Sequence, residues 1–171
     1  MLIYLIGFMG CGKTTVGHLL ANSLGYTFVD TDALIEQEAQ QSIADIFEQH
    51  GEAYFRLLEQ KVLQISTTYT YTIVSTGGGM ACFGNNMETM QQAGKTIYLQ
   101  ALPQTLAKRL LPEKETRPLL KNLSNENTIS AFVAQKLLER EPFYLKAQHI
   151  LTTDNLSPNE IANLIIGWQM K

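Results

Sequence analysis

The chain has 171 residues, 45% of them hydrophobic and 17% charged, with a formal net charge of −3 at pH 7. That balance suits one domain with its own core, and a mildly acidic chain without a block of like charges gives no electrostatic support for a nucleic-acid or membrane-surface partner. The apolar run at 2–6 is too short for a secretory leader and lacks its basic flank, and no run of about 18 apolar residues exists to span a bilayer, so a soluble, cytoplasmic, monomeric protein with a small-molecule partner is expected. The two cysteines, Cys11 and Cys82, match no metal-ligand spacing and are expected as unpaired thiols.

Leu2-Ile3-Tyr4-Leu5-Ile6 has the continuous apolar character of a strand buried on both faces of a parallel sheet. Gly7-Phe8-Met9-Gly10-Cys11-Gly12-Lys13-Thr14-Thr15 follows it and precedes Val16, Leu19, Leu20 and Leu24 at helical spacing. This G-x-x-x-x-G-K-T pattern between a strand and a helix is a phosphate-binding loop. Its glycines let successive backbone N–H groups turn toward phosphate oxygens, and the helix N-terminus adds the positive end of its dipole. Gly10, Cys11, Gly12, Lys13, Thr14 and Thr15 would surround a nucleotide's phosphates, with Lys13 reaching the outer ones and Thr14 ligating Mg²⁺. The helix is expected to stop at Gly25, a C′ residue. Tyr26 to Val29 is the second strand and runs into Asp30-Thr31-Asp32. On extended chain these two carboxylates share a face at the carboxyl end of a strand, where open α/β sheets place their ligands; alternatively, one Asp caps the helix that starts near Ala33.

Ser42-Ile43-Ala44-Asp45 resembles a capping box with Asp at the usual Glu or Gln position, and it opens a short helix from Ile43 to His50 closed by Gly51. A second helix begins at Glu52, with Phe55, Leu58, Val62 and Ile65 on its buried face and Arg56 to one side. Arg56 and Glu59 are three apart, the spacing of a surface ion pair worth a few tenths of a kcal/mol. Thr70 to Val74 is the third strand, and it leads into Ser75-Thr76-Gly77-Gly78-Gly79-Met80. Three consecutive glycines are costly in entropy unless the backbone takes unusual dihedrals or admits a ligand closely, so Gly77, Gly78 and Gly79 are expected to form an exposed N–H cradle rather than a plain flexible turn. The strand ends in Ser75 instead of the acidic residue that ATPase motors carry there, which leaves Asp30 and Asp32 to supply the carboxylates on the Mg²⁺ side.

Asn85 to Ala93 is a helix stopped by Gly94, and Thr96 to Leu99 is the fourth strand. Pro103 opens a helix with Leu102, Leu106 and Leu110 on its apolar face and Lys108 and Arg109 near its carboxyl end. The segment Leu111-Pro112-Glu113-Lys114-Glu115-Thr116-Arg117-Pro118-Leu119-Leu120 is polar in the middle and bracketed by prolines, as in a mobile lid over residues 111–122. Its Arg117 either meets a transferring phosphate or is a solvated loop arginine. Phe132, Val133, Leu137 and Leu138 lie on a helix expected to end before Pro142, which puts Arg140 at a helix end. His149 to Thr153 is the fifth strand, and Ser157-Pro158-Asn159-Glu160 combines an N-cap, an N1 proline and an N3 glutamate before Ile161, Leu164, Ile165 and Trp168. His18, His50 and His149 form no triad or metal cluster.

Five strands alternating with helices predict a single α/β domain over 1–171, a three-layer αβα fold with a five-stranded parallel sheet and right-handed crossovers. The chemistry expected from residues alone is that of an ATP- or GTP-dependent phosphate enzyme. GTP is disfavoured because no Asn-Lys-x-Asp segment occurs, and two Asp, a glycine cradle and several Arg at one sheet edge suit a small acceptor with hydroxyls and an anionic group.

Five motifs in order resemble those of shikimate kinases, across essentially the whole chain. They are Gly7 to Gly17; Phe28-Val29-Asp30-Thr31-Asp32; Phe47 with Gly51-Glu52-x-x-Phe55-Arg56-x-x-Glu59; Ser75-x-Gly77-Gly78-Gly79; and Arg117-Pro118-Leu119-Leu120 with Arg140-x-Pro142-x-Tyr144. The resemblance implies a P-loop fold like that of nucleoside monophosphate kinases, with a substrate-binding helical segment over 31–60. It implies transfer of the γ-phosphate of ATP, with Mg²⁺, to the 3-hydroxyl of shikimate on the route to chorismate and the aromatic amino acids. Arg56 and Arg140 would clamp the acceptor carboxylate with the Gly78 N–H, and Asp32 would orient or deprotonate the attacking hydroxyl. Phe47, Phe55, Gly77 and Gly79 would complete the acceptor site. Lys13 and Arg117 would neutralise charge on the γ-phosphate, Thr14 would hold the metal, and Asp30 would act on it through water. Arg109 would lie over adenine, with the segment from Thr153 to Pro158 opposite. Gluconate kinases and nucleoside monophosphate kinases share the loop and fold, and a nucleotide-binding domain without catalysis is the alternative from another class.

Overall fold

A computed structural model describes residues 1–116 and 118–169. The elements in chain order are β1 (Leu2–Ile6), α1 (Lys13–Leu24), β2 (Thr27–Asp30), α2 (Thr31–Ala39), α3 (Ile43–Ser66), β3 (Thr72–Ser75), α4 (Asn86–Ala93), β4 (Lys95–Gln100), α5 (Pro103–Leu110), α6 (Glu126–Tyr144), β5 (His149–Thr152) and α7 (Pro158–Gln169). Short 3₁₀ turns occupy Met80–Cys82, Leu111–Thr116 and Pro118–Leu120. The five strands form one parallel sheet in the order β2-β3-β1-β4-β5. β1 is central and all five of its residues are buried, as its unbroken apolar run requires for a strand covered on both faces. α1 packs on α7, α5 on α6 and α2 on α3, completing the three-layer αβα arrangement.

Two separate apolar clusters organise the molecule. The main core runs through β1, β3 and β4 to the helices, and it includes Tyr98 and Tyr144. A smaller cluster of Ile35, Ile46, Phe55, Leu58 and Val62 joins α2 to α3. The helical segment after β2 therefore has its own nucleus, and Phe55 and Leu58 anchor the turn of α3 that carries Arg56.

The expected break at Gly51 is present: this residue takes φ 76° and ψ 179° and kinks α3 between two helical stretches. Other local expectations change in the fold. α6 does not stop before Pro142; it continues to Tyr144. Proline removes one donor, the N–H that would reach the Leu138 carbonyl, and Leu138 is 81% exposed, so water can replace that bond. Leu138 accordingly does not belong to the buried face, nor does Leu102, which is 59% exposed at the start of α5. The capping box at Ser157 forms as its spacing predicts, with the Ser157 N–H donating to Glu160 Oε2 at 2.8 Å and the Glu160 N–H donating to Ser157 Oγ at 3.3 Å. The Ser157 hydroxyl, which donates to the Glu160 carboxylate at 2.7 Å, and then the Ser157 N–H hold Glu160 below its ordinary pKa.

Candidate active site

The phosphate loop leaves the carboxyl end of the central strand, and its glycines are fixed by conformation and by space. Gly7, Gly10 and Gly12 hold φ of 146°, 78° and 98°. A methyl group on Gly7 would sit 2.8 Å from the Leu99 carbonyl oxygen, and one on Gly10 2.9 Å from Leu110 Cγ. Gly12 leads into α1, whose N-terminus opens on a cavity of about 220 Å³. Lys13, Thr14 and Thr15 border that cavity together with Asp30, Asp32, Gly78 and Glu113. The Lys13 ammonium is almost fully buried and donates to the carbonyls of Gly7 at 2.8 Å and Phe8 at 3.0 Å, 3.6 Å from Cys11 Sγ. To meet a phosphate it must exchange the carbonyls of its own loop for phosphate oxygens. The Cys11 side chain is buried beneath Gly7, so this residue can face a nucleotide only through its backbone.

The two aspartates meet the loop at the β2–α2 junction, although not on a shared extended strand. Asp30 ends β2 and caps α2, its Oδ1 accepting the Asp32 N–H at 3.0 Å, while Asp32 lies in the first helical turn. The capping role expected as an alternative is real, and it leaves the second oxygen of Asp30 available to the loop: Thr14 Oγ1 donates to Asp30 Oδ2 at 3.4 Å. Hydroxyl and carboxylate thus face one another on the phosphate cavity, a donor pair suited to a hard cation that takes its remaining ligands from phosphate and water. Among the described residues no group of three or more His, Cys, Asp or Glu could hold a metal alone.

The glycine run does its work through proximity. None of Gly77, Gly78 and Gly79 has a positive φ, so unusual dihedrals do not explain them. A methyl group on Gly77 would lie 2.5 Å from Asp32 Oδ1, and one on Gly79 2.7 Å from Arg56 Nη1; at Gly78 it would meet Arg140 Nη1 at 3.7 Å and the Met9 N–H of the phosphate loop at 3.6 Å. A carboxylate and two guanidinium groups, carried by α2, α3 and α6, converge on three successive glycines beside the loop. The run is also pinned from both sides. The Gly77 N–H donates to Thr31 Oγ1 at 2.8 Å, and the buried Tyr144 hydroxyl donates to the Gly78 carbonyl. Burial pushes the Tyr144 hydroxyl far above its ordinary pKa, so it remains a donor, with Arg140 pulling partly back.

Arg56 is not the surface pair that its spacing suggests. Its Nη1 donates to Glu59 Oε2 at 2.5 Å, and its Nε and Nη2 donate to Glu52 Oε1 at 3.2 and 2.8 Å. Glu59 is 1% exposed. Burial pushes its carboxyl up, while Arg56 pulls against that shift; burial likewise pulls Arg56 down, but its two carboxylate partners outweigh it. The Arg56 Cζ lies over the Phe83 ring, 3.7 Å from its centre, and 5.3 Å from the centre of the Phe55 ring, which Phe47 meets at a tilt with ring centres 4.6 Å apart. Glu52, Thr31 and Phe83 received no role from the sequence. Only Glu52 had a signal there, its i,i+4 spacing to Arg56; Phe83 is 27 positions away and meets Arg56 only through the fold.

The remaining expected positions divide. Arg109 Nη2 donates to the Thr153 carbonyl at 3.1 Å, which puts the arginine in direct contact with the start of the segment expected opposite it. Pro158 is the first residue of α7 and exposed, and it does not border the phosphate cavity. Arg117 lies outside the described residues. A larger cavity of about 420 Å³, between α5, α6 and the ends of β4 and β5, is lined by Glu141 and Asp154 and by no cation among the described residues, the wrong charge for a phosphate.

The sequence model of the family described as shikimate kinase matches residues 9–169. A shikimate kinase of Azobacteroides pseudotrichonymphae genomovar. CFP2 is 44% identical over 160 residues, covering 93% of this chain and 94% of its own. The shikimate kinase structure from Bacteroides thetaiotaomicron superposes with a TM-score of 0.90 at 37% identity, covering 99% of this chain and 97% of that one. The shikimate kinase of Acinetobacter baumannii in complex with shikimate superposes with a TM-score of 0.88 at 34% identity, covering 99% and 92%. Fold, motif order and similarity over nearly the full length agree: the chain belongs to the shikimate kinase family.

Proposed function

We propose that the protein transfers the γ-phosphate of ATP to the 3-hydroxyl of shikimate, giving shikimate 3-phosphate and ADP on the route to chorismate. The observation that carries this reading is the convergence of Asp32, Arg56 and Arg140 on Gly77 to Gly79 beside the phosphate loop. A guanidinium fork matches a carboxylate, and two of them beside a hydroxyl-orienting aspartate fit a hydroxylated acid. Lys13 and the loop N–H groups, through Gly10, Cys11, Gly12, Thr14 and Thr15, hold the donor phosphates. Phosphoryl transfer is largely loose, so Asp32 acts first by positioning the attacking hydroxyl and second by taking its proton. Thr14 and Asp30 would hold Mg²⁺, which when bound neutralises charge on the donor phosphates. Glu113 borders the phosphate cavity, which supports reading 111–122 as a lid that excludes water and brings Arg117 to the γ-phosphate. Arg109 and the segment from Thr153 flank the purine. No described helix is long and apolar enough to cross a membrane.

A coupled ADP-release assay tests the assignment against gluconate and nucleoside monophosphates. Turnover with shikimate at least a hundredfold above the other acceptors is expected; turnover only with another acceptor, or with none, would overturn it. In the Gly79→Ala variant the backbone is unstrained, since Gly79 has φ −92°, but the new methyl displaces Arg56. Its KM for shikimate should rise roughly tenfold, with a fall in melting temperature smaller than that of Arg56→Ala.

A further inference from the structure

We infer that Phe83 is a positioning residue for acceptor binding: its ring is the platform that fixes the plane of the Arg56 guanidinium against the glycine run. The inference rests on Arg56 gripping the acceptor carboxylate. Phe83 follows the 3₁₀ turn Met80–Cys82, four residues after Gly79, so the same loop that supplies the cradle also supplies the ring. The Arg56 Cζ sits 3.7 Å from the ring centre, close enough for full stacking of a planar cation on a π face. Glu52 and Glu59 fix two edges of the guanidinium, and Gly79 admits the Nη1 and Nη2 groups to the cradle. The carboxylates alone leave the group free to tilt about its edge contacts, and the ring removes that freedom. It also shields one face from water, which lowers the local dielectric around the in-plane N–H donors and strengthens the bonds they make.

Phe83 is 38% exposed and lies outside the buried core. It can be replaced with little loss to the core, and that makes the inference testable by kinetics. Steady-state constants would be measured for the intact chain and for Phe83→Leu, Phe83→Tyr, Arg56→Ala and the Phe83→Leu, Arg56→Ala pair. Phe83→Leu should raise the KM for shikimate roughly three- to tenfold, with kcat and the KM for ATP within about twofold and the melting temperature nearly unchanged. Phe83→Tyr, which keeps the π face, should restore the KM, whereas leucine keeps only apolar area. In the Arg56→Ala background the leucine substitution should have no further effect. An unchanged KM in Phe83→Leu, a defect that tyrosine does not rescue, or full additivity with Arg56→Ala would each overturn the platform role. If Arg56→Ala itself left the shikimate KM unchanged, the clamp reading would fail instead, so the two failures are distinguishable.

Discussion

Lys13→Ala should lower kcat by roughly 10²- to 10³-fold while leaving shikimate affinity within a few fold, the magnitude expected when one preorganised charge aimed at the transferring group is lost. The partition follows from position. Lys13 borders the cavity from the loop side, whereas the groups proposed to hold the acceptor stand on α2, α3 and α6, of which only Asp32 reaches that cavity. The ammonium also has a role in the loop itself, donating to the Gly7 and Phe8 carbonyls, and alanine leaves both without that donor. Some loss of stability is therefore expected, and adding ADP with Mg²⁺ should raise the melting temperature of the variant less than that of the parent chain. Steady-state kinetics with each substrate varied in turn, and calorimetric titration of shikimate, check the partition. Equal losses in shikimate affinity and kcat would contradict it.

Arg56→Ala should instead raise the KM for shikimate on the order of 10²-fold, since truncating one member of a desolvated charge pair costs about 2–5 kcal/mol. It should also destabilise the fold in a pH-dependent way. Burial already holds Glu59 above its ordinary pKa, and Arg56 is the group that pulls it back. Without Arg56 the folded-state pKa rises further above the unfolded value. The folded chain then retains a proton that the unfolded chain releases, so the stability deficit is small below the ordinary carboxylate range and grows as pH rises through it toward neutrality. Thermal melts from pH 4 to 7.5 check the sign. Adding Glu59→Gln to Arg56→Ala should recover most of the stability at pH 7 but none of the shikimate affinity. A deficit independent of pH would show that Glu59 is not the source.

Much of the site was legible because its parts are local patterns with their own physics. The phosphate loop needs only a strand, a glycine spacing and a helix, and each is read from a few neighbouring residues. The paired aspartates were found for partly the wrong reason: they reach the loop through a strand-to-helix junction in which Asp30 caps α2, not through alternation along a strand. The glycine run is expected as an exposed N–H cradle, but Gly77 and Gly79 are buried and the Gly77 N–H is taken by Thr31; the close approach of Asp32 and Arg56, which no backbone rule foresees, is what requires glycine there. α6 runs through Pro142 because a proline ends a helix only where the lost hydrogen bond cannot be replaced, and the exposure of Leu138 leaves its carbonyl open to water.

Chain-local chemistry was thus enough for the α/β class, the strand and helix order, the donor loop and the family-bearing motifs, since apolar periodicity, caps and glycine spacing act over a few residues. Charge environment and partnership were different. Arg56 and Glu59 look like a surface pair at a spacing of three and prove to be a desolvated pair under an aromatic ring, because burial depends on what α3 packs against. The meeting of Asp32, Arg56, Phe83, Arg140 and Tyr144 around Gly77 to Gly79 joins residues up to 112 positions apart. The parallel sheet, by carrying β1, β2 and β3 to one carboxyl edge, is what lets these residues meet.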